Sequence, residues 1–167
     1  MYIKLHVIND YMNLISLIGK FENERPSWDD YFVIMSHVIS KRSTCNKVKV
    51  GAIITNNNRI ISTGYNGHIP KTDHISISRD GHEMATIHAE TNAVCDASKR
   101  GVSLDGSTVY VTHYPCINCT KVLIAAGIRE IIYSEDYYND DIATQMLGVA
   151  NVKIRKYSIT DTTQLTD

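Results

Sequence analysis

Two short stretches carry residues whose types and spacing can hold a metal ion and move a proton. One is His88-Ala89-Glu90; the other is Pro115-Cys116-Ile117-Asn118-Cys119. Cys116 and Cys119 are three positions apart, so at the start of a helix both sulfurs lie on one face. The partial positive charge of a helix N-terminus favours thiolate over thiol there. Two thiolates and one imidazole give zinc three ligands and a neutral core. The fourth position stays open for water, as in catalytic rather than closed structural sites. Glu90, two residues from His88, can stand beside that water without being a ligand, take its proton and hand it on. Each half alone is weak. A lone Cys-x-x-Cys also suits thioredoxin-like redox chemistry. A lone His-x-Glu also arises by chance on a helix surface, and His113 could close the site as a fourth ligand. Both halves at consecutive helix starts favour the catalytic zinc reading.

The elements that must position these residues follow from periodicity. Ser27 with Asp30 three residues on, and Pro26 just outside, opens a helix. Trp28, Phe32, Met35, Val38 and Ile39 recur at helical spacing, and the helix should end near Lys41–Ser43. Val48–Thr55 reads as a buried strand, Asn56–Asn58 as a turn and Arg59–Thr63 as its hairpin partner. Gly64–His82 is a polar, irregular connection, long enough to imply function or mobility. Ile87–Arg100 predicts a helix stopped by Gly101, with Cys95 inside it as a small core residue. Then come strand Ser107–His113, helix Cys116–Ala126 stopped by Gly127, strand Arg129–Ser134, helix Asp140–Leu147 and strand Val152–Tyr157. This order gives an α/β architecture: a mixed central sheet with helices on both faces. Open α/β sheets bind ligands at the carboxyl ends of their strands, where His113–Cys119 and the helix start near His88 fall.

Composition bounds the reading. The chain has 167 residues, 43% apolar and 21% charged, one ordinary globular core's worth. A net charge of −1 excludes a global basic field for gripping a nucleic-acid backbone. No run is long and apolar enough to cross a bilayer. Met1–Lys20 lacks the make-up of a secretory signal, so cytoplasmic is the default location. Ile8, Met12, Ile15 and Ile18 there recur at helical spacing, predicting a helix that packs on the body or on a neighbour. Without a secretory signal the four cysteines, Cys45, Cys95, Cys116 and Cys119, are weak evidence for disulfides, and the Cys116–Cys119 pair points to metal or redox chemistry.

His-x-Glu followed by Pro-Cys-x-x-Cys is the signature of zinc-dependent deaminases. The chain resembles the cytidine deaminase superfamily and, within it, the deoxycytidylate (dCMP) deaminase family of phage and viral type. Arg25-Pro26-Ser27-Trp28-Asp29 resembles that family's opening. Lys41-Arg42-Ser43-Thr44-Cys45 with Val50-Gly51-Ala52-Ile53-Ile54 resembles its first loop and strand, and Gly64-Tyr65-Asn66-Gly67 its nucleotide-binding loop. The likeness spans about 25–157, leaving 1–24 as an N-terminal helical extension and 158–167 as a polar tail. It implies a three-layer α/β/α cytidine-deaminase-like fold around a mixed five-stranded sheet.

The resemblance also implies roles. His88, Cys116 and Cys119 hold zinc; Glu90 is the proton shuttle. Asn66 binds the deoxyribose hydroxyl, Arg42 and Ser43 are candidates for the 5′-phosphate, and Ala89 and Tyr137 border the substrate. Gly64, Tyr65 and Gly67 form a candidate effector loop. The implied reaction is hydrolysis of dCMP to dUMP and ammonia, supplying dUMP for thymidylate synthesis. Activation by dCTP and inhibition by dTTP, with Mg²⁺, and a homohexamer go with it, in the host cytoplasm if viral. After Gly67 the chain departs from the family pattern. It runs His68-Ile69-Pro70-Lys71-Thr72-Asp73-His74 without a cysteine. Cys45 with His74 or His82 is a candidate second zinc set. The alternatives are a bifunctional dCMP/dCTP deaminase, a cytidine deaminase and a non-catalytic zinc-containing nucleotide-binding regulator. A nucleic-acid-editing deaminase is disfavoured by the near-neutral charge.

Overall fold

The computed structural model describes residues 18–19, 21–22, 25–45, 47–79 and 82–159. In chain order the elements are α1 (Trp28–Ser40), β1 (Gly51–Asn56), β2 (Arg59–Tyr65), β3 (Gly67–His68), β4 (Ser78–Arg79), β5 (His82–Glu83), β6 (Thr86–Ile87), α2 (Ala89–Lys99), β7 (Thr108–His113), α3 (Ile117–Ala125), β8 (Glu130–Glu135), α4 (Asp141–Val149) and β9 (Lys153–Lys156). Most of the N-terminal amphipathic stretch, and the tail beyond 159, lie outside the described residues.

Ser27 caps α1 as expected. Its Oγ accepts from the Asp30 backbone N–H at 3.0 Å and donates to the Asp30 carboxylate at 2.6 Å. The β1–β2 hairpin turns on Asn57 and Asn58, both left-handed (φ 48° and 58°), a conformation asparagine tolerates well. The central sheet runs β2-β1-β7-β8-β9. β1 is antiparallel to β2 and β7, whereas β7–β8 and β8–β9 are parallel. The sheet is thus mixed and five-stranded, as the sequence predicts. Each parallel pair needs a crossover, and α3 and α4 supply them.

Strand alternation splits the core into two layers. Ile53, Tyr110 and Ile132 face α1, packing with Phe32 and Val33. Ala52, Ile54, Val109, Val111, Ile131 and Tyr133 face the other way, onto Ala89, Ala93 and Ala97 of α2, Leu123 of α3 and Ala143 and Leu147 of α4. Two glycines let helices touch the sheet backbone. A Cβ on Gly51 would lie 2.1 Å from the Ser36 carbonyl oxygen in α1, and one on Gly64 would lie 2.2 Å from the Ala89 oxygen in α2.

Three expectations need correction. The connection after Gly64 is not structureless: β2 runs on to Tyr65, and the β3–β6 and β4–β5 ladders follow. Ladders of two residues are too short to leave a periodic signal. The helix predicted from Ile87 starts at Ala89, because Ile87 pairs with Gly67. Cys95 is exposed rather than in the core. The buried stripe of α2 runs Ala89, Ala93, Ala97 at four-residue spacing, and Cys95 falls on the opposite side.

Candidate metal centre and active site

The metal-capable residues sit where two helices begin. His88 is the N-cap residue of α2 and Cys116 that of α3, with Cys119 in the first turn of α3. Neither cap side chain bonds its own helix, which leaves imidazole and thiol free to face each other. β2 carries α2 on Gly64, and the Asn92 amide donates to the Tyr65 carbonyl at 2.7 Å. Strand β6 delivers the chain to His88 by pairing with β3. On the other side, the Tyr114 N–H donates to the Glu135 carbonyl at 2.9 Å and extends the β7–β8 pairing up to Pro115.

His88 Nδ1 lies 3.5 Å from Cys116 Sγ and 3.4 Å from Cys119 Sγ, and all three atoms lie within 4.8 Å of one another. With Zn–S near 2.3 Å and Zn–N near 2.0–2.1 Å, the N···S edge of a tetrahedron is roughly 3.5 Å. The donor set and its spacing therefore fit a zinc ion. Among the described residues this is the one cluster of three such groups, and His113 does not join it. His113 Nδ1 instead meets Thr112 Oγ1 at 2.8 Å, while Nε2 lies 3.7 Å from Glu135. Burial pushes its pKa down, which keeps the imidazole neutral. The closed four-ligand alternative through His113 is not formed.

Charge in the cluster is divided unevenly. Hydrogen bonding from Cys119, then from His88, holds the Cys116 thiol well below its usual range. The hydrogen bond to Cys116, and then burial, push the Cys119 thiol up. Sulfur that ligates a divalent ion is thiolate, so ion binding at this cluster would be accompanied by loss of the Cys119 proton. The Cys116 hydrogen bond raises His88. Glu90, only 4% exposed, has its pKa raised chiefly by burial.

The remaining predicted residues fall around this centre. Asn66 is buried, and both ends of its amide hold backbone: Oδ1 accepts from Val50 N–H and Nδ2 donates to the Val48 carbonyl, each at 2.7 Å. Val48–Val50 is accordingly tied to Asn66, and β1 begins only at Gly51. Tyr65 and Gly67 act here through backbone, in the Asn92 bond and in the Ile87 pairing. Ala89 is buried at the foot of α2. Ser43 is buried, its Oγ accepting from Cys45 N–H at 3.1 Å, and Arg42 beside it is exposed. Tyr137 is 46% exposed and meets His113 edge-on, 5.8 Å between ring centres. Of the suggested second zinc set, Cys45 is half-buried and His74 stacks on His68 at 5.0 Å. His82 enters through its β5 backbone, and no second three-ligand cluster forms among the described residues. Sequence reasoning missed Thr91, whose Oγ1 lies 3.8 Å from Cys119 Sγ, and Asn92. Their spacing of three and four residues from His88 was the available signal.

Known proteins are similar to this chain in sequence and fold. The family described as "Cytidine and deoxycytidylate deaminase zinc-binding region" matches residues 26–135, which include His88, Glu90, Cys116 and Cys119. ComE operon protein 2 of Bacillus subtilis is 43% identical over 140 residues, covering 81% of this chain and 74% of that protein. Deoxycytidylate deaminase of Saccharomyces cerevisiae is 33% identical over 171 residues, covering 93% of this chain and 54% of its own, so this chain spans about half of that relative. The crystal structure of dCMP deaminase from the cyanophage S-TIM5, in complex with dCMP and dUMP, matches with a TM-score of 0.72. It is 29% identical and covers 81% of this chain and 100% of that one. A match running from the α1 cap through α2 and α3 to the end of β8 places the chain in the cytidine and deoxycytidylate deaminase family.

Proposed function

We propose that this chain hydrolyses dCMP to dUMP and ammonia at a zinc ion held by His88, Cys116 and Cys119. The observation that carries the reading is a buried carboxyl, Glu90, set beside a three-ligand cluster of tetrahedral spacing. Similarity to an enzyme solved with dCMP and dUMP supports the choice of substrate. Zinc held there would supply Lewis acidity and would lower the pKa of a bound water to about 7. Glu90 would take the first proton of that water and deliver it to ring N3 as the oxygen joins C4, then take the second from the C4 hydroxyl and hand it to the amine as C4=O forms and the C4–N bond breaks. One water is consumed and one ammonia leaves.

Asn66 keeps one amide hydrogen and one lone pair beyond its backbone bonds, enough for a sugar hydroxyl. Ser43 accepts through its oxygen and retains its own hydrogen for a phosphate, with Arg42 supplying charge. Ala89 and Tyr137 border the base. Control by dCTP and dTTP with Mg²⁺ through Gly64–Gly67, a homohexamer and a cytoplasmic location belong to the same proposal and rest on the family resemblance. Among the described residues, no helix is long and apolar enough to cross a membrane.

The test is a spectrophotometric deamination assay on dCMP, with and without dCTP and Mg²⁺, with dCTP alone as control substrate. Turnover of dCMP that rises with dCTP is the expected result. Equal turnover of both substrates would replace it with a bifunctional pocket. No turnover in zinc-loaded protein would overturn the proposal.

A further inference from the structure

Cys119 is 1% exposed, whereas Cys116, the other sulfur of the cluster, is half-buried. Water can solvate Cys116 but not Cys119. A buried anionic sulfur without a hydrogen-bond donor is costly. Of the side chains around Cys119 Sγ, His88 and Cys116 are its fellow ligands and Glu90 is the acid–base group. Thr91 remains, its Oγ1 at 3.8 Å.

Thr91 stands on the third residue of α2, three positions after His88 and so on the same helix face. A helical threonine commonly turns its hydroxyl back to the carbonyl four residues earlier. Here the hydroxyl meets sulfur instead. A ligating thiolate has no proton to give, so the hydrogen in this contact must come from Thr91. We propose that Thr91 is a positioning residue of the metal centre: its hydroxyl donates to the Cys119 thiolate, fixes that sulfur's orientation and tempers its charge toward the ion. Partners of this kind behind metal ligands commonly set affinity by 10–100-fold. The inference rests on the zinc reading above.

Thr91→Val removes the hydroxyl and keeps the shape; Thr91→Ser keeps the hydroxyl and removes the methyl. Thr91→Ala repeats the deletion in a good helix former, in case valine disturbs packing. Transfer of zinc to a chromogenic chelator should be about tenfold faster in the valine and alanine variants than in wild type, and near wild type in the serine variant. In cobalt-substituted protein the sulfur-to-metal charge-transfer band should move to longer wavelength in the variants without the hydroxyl, and stay in place with serine. Wild-type zinc release and an unmoved band in Thr91→Val would overturn the inference alone. Serine as impaired as valine would overturn it too, by assigning the effect to the methyl group. A wild-type protein that holds no zinc would overturn the metal reading itself.

Discussion

Glu90 is kept from water by the fold, and that has opposite effects on chemistry and on stability. Its pKa in the folded chain is raised above the ordinary 4.5, chiefly by burial. The folded state therefore binds the proton more tightly than the unfolded state. Stability from this group is fully present below the unfolded value and is lost as pH rises through the folded one. Glu90→Gln should retain zinc and lose turnover by at least about 10³-fold. In metal-free form at neutral pH it should melt above metal-free wild type, with the gap closing near pH 4. Activity assays and thermal melts across pH check both halves; near-wild-type turnover would remove Glu90 from the proton path. At this scale the clustering of His88, Cys116 and Cys119 was legible, because metal chemistry dictates their types and helix geometry their spacing. Asn66 holding Val48 and Val50, and Thr91 facing sulfur, were not legible. Those contacts depend on which backbone lies opposite in space.

Among the elements, α2 depends most on a single contact, its seat on Gly64. A Cβ at Gly64 would lie 2.2 Å from the Ala89 oxygen and 2.5 Å from the Ala93 nitrogen, all rigid backbone. Gly64→Ala should push α2, and with it His88 and Glu90, off the sheet. The expected outcome is a loss of about 1–3 kcal/mol in stability together with weaker zinc retention. Gly51→Ala meets Ser36 in α1, a helix with no ligand, and should cost comparable stability while leaving zinc retention nearly intact. Denaturant melts paired with chelator competition separate the two. Helices and long strands were legible in the sequence because their apolar period is sustained. The β3–β6 ladder, which aims His88, was not, since two residues have no period. The Gly-Tyr-Asn-Gly stretch stood out as a loop for ligands, and in the structure it also anchors α2 and the approach to β1.

For the whole molecule, one polar cluster joins α1 to three neighbouring strands. Asp29 accepts from the Tyr110 hydroxyl at 2.8 Å and from Arg155 at 2.7 Å, and Arg155 also donates to Glu130 at 3.0 Å. Burial and the Asp29 carboxylate both push the Tyr110 phenol up, so it stays a donor at any physiological pH. Tyr110→Phe should lower stability by about 1 kcal/mol and leave zinc retention unchanged, measurable by urea melts of the zinc-loaded protein. The layer order was legible from the alternation of strands and helices; this cluster was not, because Asp29 and Arg155 are 126 positions apart. The meeting of the two helix starts is another such long-range tie. His88 and Cys116 stand 28 positions apart, so an ion gripped by both turns the chain between them into a closed ring. Ring closure removes conformations from the unfolded ensemble, as a disulfide does, but this link opens when the ion leaves. Each tenfold rise in free zinc above its dissociation constant should then add about 1.4 kcal/mol to folding. Trypsin gives the kinetic counterpart: the exposed Lys99 and Arg100 lie inside the ring, and chelation should speed cleavage there more than elsewhere.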